Sequence, residues 1–154
     1  MKTYRYSVSI LAAKEKVWKV LWDDATYRVW AAAFHEGTRA VSDWKTGSRI
    51  IFADENGNGA FAEISRNTPC EIMSFRHLGW TGNWEELPAG MEFNIGGKLV
   101  KWTASDEHYI LTSKEDITTL TVEMTGDFGD WEGNLNDTYP KALEKVKELS
   151  EKRY

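Results

Sequence analysis

One cysteine, three prolines and three histidines in 154 residues set narrow limits on this chain. Cys70 is alone, so no internal disulfide can form, and a lone thiol of this kind reads as a small buried or half-buried side chain. His35, His77 and His108 lie in separate segments without paired ligand spacing, so they and Cys70 give no zinc pattern. No run of eighteen or more apolar residues occurs, and no membrane insertion is expected. The first thirty residues lack a basic stretch followed by a continuous apolar core. No signal peptide is therefore expected, and the chain reads as cytoplasmic. Positive charge is also short: 19 Lys and Arg against 24 Asp and Glu give a net charge of −5. That balance excludes a nucleic-acid footprint or an anionic-membrane patch.

Catalytic motifs are missing too. Asp54, Asn56, Asn58 and Gly59 imitate the first half of a calcium loop, but the closing position holds Ser65 instead of glutamate. The same Asn-Gly pattern is what a hairpin turn wants, because those residues accept positive φ. Gly96-Gly97 does not make a phosphate loop, and no G-x-S-x-G elbow is present. Pairs such as Glu85-Glu86 and Asp23-Asp24 read as solvated charge. No cofactor and no metal are expected.

Aromatic residues are plentiful: 8 Trp, 6 Tyr and 6 Phe. They fill large cores and also line apolar pockets, and the count leaves both open. Tyr4, Tyr6, Val8 and Ile10 alternate with polar residues, the period of a half-buried strand. Val17, Trp18, Leu21 and Trp22 recur at helical spacing, predicting a short helix over about 14–23. Asp24 is placed to cap a second short helix carrying Tyr27, Trp30, Ala31 and Phe34. Strands then follow at Arg39–Val41, Arg49–Ala53, Gly59–Ser65, Ile72–Leu78, Lys98–Trp102, His108–Ser113 and Thr118–Thr125. Turn residues at 54–59, 67–69 and 113–117 separate some of them. Gly79–Gly97 has no clean periodicity but is rich in aromatics, and reads as a flap packed near an opening.

The last stretch organises the rest. Leu135, Tyr139, Ala142, Val146 and Leu149 step by four and three along one helix face, opposite a charged face. Pro140 interrupts the pattern. Either the helix starts at Tyr139, or it starts near Gly133 and bends at the proline, which keeps Leu135 in the stripe. A helix so amphipathic must lay its stripe on the preceding strands.

This order, with the stretches Val17–Asp23, Tyr27–Trp30, Asp43–Gly47, Ser74–Gly79, Glu107–Leu111, Thr118–Val122 and Tyr139–Leu149, resembles the SRPBCC, or START-like, superfamily. Within it the chain is most similar to bacterial proteins resembling the activator of the ninety-kilodalton heat-shock-protein ATPase, of C-terminal-domain type. The resemblance implies an α+β helix-grip fold over one domain, residues 1–154. A curved antiparallel sheet of six to seven strands would wrap the long C-terminal helix, with two short helices after the first strand. It also implies a cavity between helix and sheet.

The residues placed to line such a cavity are Trp30, Phe34, Phe52, Phe61, Phe75, His77, Trp102, Tyr109, Leu111, Leu135, Tyr139 and Leu143. His77 shares a strand face with Met73 and Phe75, so it points where apolar side chains point. It reads as a hydrogen-bonded strand-end residue, as a polar contact for a ligand, or as a general acid or base. The expected function is binding of a small hydrophobic or lipid-like molecule without catalysis. The alternatives are a chaperone co-activator module and an enzyme acting on a bound hydrophobic substrate. The enzyme alternative requires at least two polar groups converging beside His77.

Overall fold

The computed structural model describes residues 2–88, 92–95, 98–101, 105–126 and 132–152. Strand β1 (Lys2–Ile10) leads into helices α1 (Lys14–Trp22) and α2 (Asp24–Trp30), and a 3₁₀ turn at Ala31–Ala33 extends α2. Strands β2 (Arg39–Val41), β3 (Arg49–Ala53), β4 (Gly59–Thr68), β5 (Ile72–Gly82) and β6 (Glu85–Pro88) follow. Strands β7 (Glu92–Ile95) and β8 (Lys98–Lys101) form a separate two-stranded sheet among the described residues. The chain closes with β9 (Ser105–Lys114), β10 (Ile117–Gly126) and helix α3 (Glu132–Glu151).

The main sheet is antiparallel, in the order β1-β10-β9-β5-β4-β3-β2. Strand β5 is long enough to serve two neighbours on one edge: 72–77 pairs with β9, and 79–82 pairs with β6. This is the α+β helix-grip arrangement, with seven strands along the path and β6 added beside them. The half-buried register of β1 follows its sequence period, with Tyr4, Tyr6 and Val8 partly covered and Ile10 fully buried.

The core is built where the sheet meets α1 and the second half of α3. Ile10, Val17, Leu21, Ile50, Ile64, Leu120, Val122, Ala142 and Val146 are wholly buried there. Close packing at this end anchors the grip. Helix α3 runs through Pro140, which lies on its exposed side, so a start at Tyr139 is excluded. Proline leaves the Asn136 carbonyl without its usual helical donor. The Asn136 side chain is used elsewhere: its Oδ1 accepts from the Tyr6 hydroxyl at 2.7 Å.

Three local expectations are corrected. Asp24 is the first residue of α2 and not its cap; it binds Arg28 Nε at 2.9 Å, one turn on. Within Gly79–Gly97, which shows no clean periodicity in sequence, β5 runs on to Gly82 and turns back as β6, and 92–95 forms β7, while 89–91 and 96–97 lie outside the described residues. The two β5–β6 turn residues, Asn83 and Trp84, both have positive φ (52° and 68°), as a type I′ hairpin requires. The strand expected to begin at His108 begins three residues earlier, at Ser105.

The 54–59 segment is a hairpin turn held by its own aspartate. Asp54 Oδ1 accepts from the amides of Asn56 (2.9 Å) and Asn58 (3.1 Å). This turn docks on the β5–β6 turn, with Trp84 N donating to the Gly57 carbonyl at 3.0 Å.

Candidate functional site

The first half of α3, helix α2 and the far ends of β3, β4, β5 and β9 do not close on one another. They leave a cavity of about 260 Å³. Trp22, Tyr27 and Trp30 wall it from the two short helices, and Phe34 comes from the turn after them. Phe52, Ala60, Phe75, His77 and Trp80 project from the sheet, and Tyr139 closes it from α3. Phe34 is 39% exposed, so the cavity reaches solvent beside it. The rings brace each other edge to face: Tyr27 on Trp30 at 4.9 Å, Trp22 on Tyr109 at 5.1 Å, and Phe34 on Tyr139 at 4.9 Å. Aromatic pairs prefer these offset and T-shaped contacts, which fix walls more firmly than flexible aliphatic chains do.

The polar centre of the wall is Glu107, only 5% exposed. It lies on β9 opposite Phe75, two residues along from the Met73–Tyr109 pair. His77 Nε2 donates to Glu107 Oε1 at 2.8 Å. Tyr109 OH donates to Oε2 at 2.9 Å, and Tyr139 OH donates to the same oxygen from the helix side. Tyr139 also stacks on Tyr6, ring centres 5.1 Å apart and planes 6° off parallel. One buried carboxylate thus joins two sheet strands to the gripped helix.

The electrostatics follow from that geometry. Burial is the largest single influence on Glu107 and acts to raise its pKa. The hydrogen bond and charge of His77, with the hydroxyls of Tyr139 and Tyr109, together outweigh it and hold the carboxyl below its ordinary value. An ionised carboxylate only accepts, so the proton on each contact belongs to the partner. Burial, and then the Glu107 charge, push the hydroxyls of Tyr27, Tyr109 and Tyr139 well above the ordinary tyrosine range, so all three stay protonated donors.

The structure brings seven of the twelve sequence-selected residues to the cavity: Trp30, Phe34, Phe52, Phe75, His77, Tyr109 and Tyr139. Four go elsewhere, and Trp102 lies outside the described residues. Leu111 and Leu143 are packed into the filled core, and Leu135 is half-buried against it. Phe61 faces the other side of the sheet. Strand β4 turns Ala60, Ala62 and Ile64 inward, while Phe61 lies beneath the Arg49 guanidinium (5.7 Å) and against Gly79.

Sequence reasoning missed Glu107, Trp22, Tyr27 and Trp80, along with Thr38, Ala60, Ser105 and Met124. The signal for Glu107 lay in period-two parity: it is two residues before Tyr109, on the same face. Trp80 was hidden by a bulge. Gly79 pairs with Phe61 and His77 with Ala62, which leaves Leu78 as an extra residue. That residue flips the parity, so His77 and Trp80, three apart, both face inward.

The other histidines lie away from this centre. His108 Nδ1 meets Ser74 Oγ at 2.6 Å, and His35 Nε2 lies 3.2 Å from Asp54 Oδ2 at the surface. Among the described residues, no three His, Cys, Asp or Glu side chains converge as a metal cage, and no helix is long and apolar enough to cross a membrane.

No family model matches the sequence, and no curated protein matches it. Solved structures do resemble its fold. The Aha1 dimer from Colwellia psychrerythraea superposes with a TM-score of 0.72 at 18% identity, over 98% of this chain and 97% of that one. Protein MLL2253 from Mesorhizobium loti gives 0.70 at 17% identity, over 96% of each chain. DynU16, from the dynemicin biosynthetic locus, gives 0.68 at 18% identity, over 96% of this chain and 46% of its own. At such identities the likeness is one of backbone architecture, and the helix-grip fold is what this chain shares with them.

Proposed function

We propose that this chain is one START-like domain of the SRPBCC superfamily, cytoplasmic, that binds a small hydrophobic molecule between α3 and the sheet without transforming it. The observation that carries this reading is the open aromatic cavity of about 260 Å³ with a buried, hydrogen-bonded carboxylate on its wall. Apolar walls with a few convergent polar groups are the usual form of a ligand site. Glu107 and Tyr109 meet the requirement for polar groups beside His77. Yet the carboxylate already accepts from three fixed donors, which suits a fixed acceptor better than a mobile base.

A thermal-shift screen with small aromatic and aliphatic compounds, followed by native mass spectrometry, tests it. Ligand at a hundred times its Kd adds about 2.7 kcal/mol, which for a chain of this size raises Tm by about 5–10 °C. No shift with any compound sinks the reading.

A second reading, a chaperone-ATPase co-activator module, draws on the likeness to the Aha1 dimer across nearly the full length of both chains. Stimulation of a purified ninety-kilodalton chaperone's ATPase by this chain is its expected result. Absence of both stimulation and co-precipitation ends it.

A further inference from the structure

Size and charge narrow the occupant of this cavity, on the reading that it is a ligand site. A water takes about 30 Å³ of liquid, so 260 Å³ corresponds to about nine waters. That is the scale of one ring with a short tail.

The wall has a sign. Among the described residues that line the cavity, Glu107 is the one carboxylate and His77, already hydrogen-bonded to its Oε1, the one titratable base; neither lysine nor arginine is present. A ligand ending in a carboxylate or phosphate would be set against Glu107 in a dry site without a Lys or Arg counter-charge, where like charges repel strongly. A cation meets the opposite situation. The rings of Trp22, Trp30, Trp80 and Tyr27 offer π-systems that attract ammonium groups, tryptophan most of all. A carboxylate has about four acceptor positions, and three donors occupy Glu107, so one position remains for an ammonium N–H.

We infer that the cavity takes a small protonated amine carried on a single aromatic ring, with its ammonium group beside Glu107 and its ring among the tryptophans.

Three probes with the same ring decide it: phenethylamine, 2-phenylethanol and phenylacetate. Binding is followed by tryptophan fluorescence and calorimetry at about pH 8, where the amine is still charged. The amine should bind about tenfold more tightly than the alcohol, and phenylacetate more weakly than either.

Glu107→Gln separates charge from shape. In its Nδ1–H tautomer the His77 ring accepts from the new amide, while both tyrosines still have an oxygen to donate to. In that variant the amine and the alcohol should bind within about threefold of each other. If Glu107→Gln does not fold, the wild-type order alone decides. Alcohol or acid binding as tightly as the amine overturns the inference and leaves the hydrophobic-ligand reading standing. No binding by any of the three overturns the inference, and the broader thermal-shift screen then decides whether the hydrophobic-ligand reading falls with it.

Discussion

Tyr139→Phe isolates the link between the gripped helix and the sheet. The substitution removes one hydroxyl and keeps the ring, so the stack on Tyr6 at 5.1 Å and the edge contact with Phe34 at 4.9 Å survive. What is lost is the donor to Glu107 Oε2, and Glu107 still accepts from His77 and Tyr109. The carboxylate is therefore weakened and not orphaned. A hydrogen bond to a charged group contributes about 1.5–3 kcal/mol net, so the expected cost is about 2 kcal/mol. In a chain of this size that lowers Tm by roughly 4–8 °C. Urea titration followed by tryptophan fluorescence should show a lower midpoint with an unchanged slope, because the surface exposed on unfolding is the same. Repeating the change in a Glu107→Gln background tests the cause. There the hydroxyl meets a neutral acceptor, its removal should cost about 1 kcal/mol, and the difference is the coupling. A cost below about 0.5 kcal/mol in the wild-type background, or equal costs in both, refutes the argument that the charge of Glu107 holds the helix.

Three other outcomes follow from the same structure. Glu107 titrates below its ordinary 4.5 when folded, so between the two values the unfolded chain binds more protons and stability rises with pH. Its contribution is whole above about pH 4.5 and is lost as pH falls through the folded value. The stability gap between wild type and Glu107→Gln should shrink as pH falls below about 4.5. Asp43, Asp54 and Glu151, also shifted down, are present in both proteins and cancel. Gly57→Ala should cost more than 1 kcal/mol by chemical denaturation. Gly57 has φ of 79°, and an added Cβ would sit 2.4 Å from Trp84 N and 2.5 Å from its Cγ. Phe34→Ala should cost only about 1–2 kcal/mol in the same assay, against 3–5 for a buried phenylalanine, because Phe34 is 39% exposed.

Much of the fold was written in short-range pattern. The alternation from Tyr4 to Ile10 and the stripe from Leu135 to Leu149 depend on one residue's neighbours along the chain, and both reappear as β1 and α3. The cavity is legible only in part, because it depends on where elements end and how strands are offset. His77 could be placed from Met73 and Phe75, since all three precede the bulge at Leu78. Trp80 could not, since no local signal marks an extra residue that pairing alone reveals. Glu107 was lost to a boundary drawn three residues late. The helix stripe misled in the other direction: it marks a buried face without saying what buries it. Of Leu135, Tyr139 and Leu143, only Tyr139 meets the hollow, while Leu143 meets packed side chains.

The hollow itself argues against a purely structural role for these residues. A core selected for stability alone would fill the space between Trp30, Phe75 and Tyr139, since each missing contact costs dispersion and transfer energy. It would also leave out the carboxylate, because burying an ion costs several kcal/mol that its partners only offset, and an apolar replacement is often as stable or more so. Here both costs occur at the same place. The filled end of the sheet, around Ile64, Leu120 and Val146, shows that the same chain packs densely where no opening is kept. Edge-to-face rings, stiff at two torsions each, hold the walls apart on one side of Glu107, and three donors hold the charge in place on the other. If the arrangement serves a ligand, filling the hollow should raise stability and abolish binding. Ala60→Leu, projecting into the cavity from β4, makes that trade measurable: a gain in Tm with binding intact would mean the space is incidental.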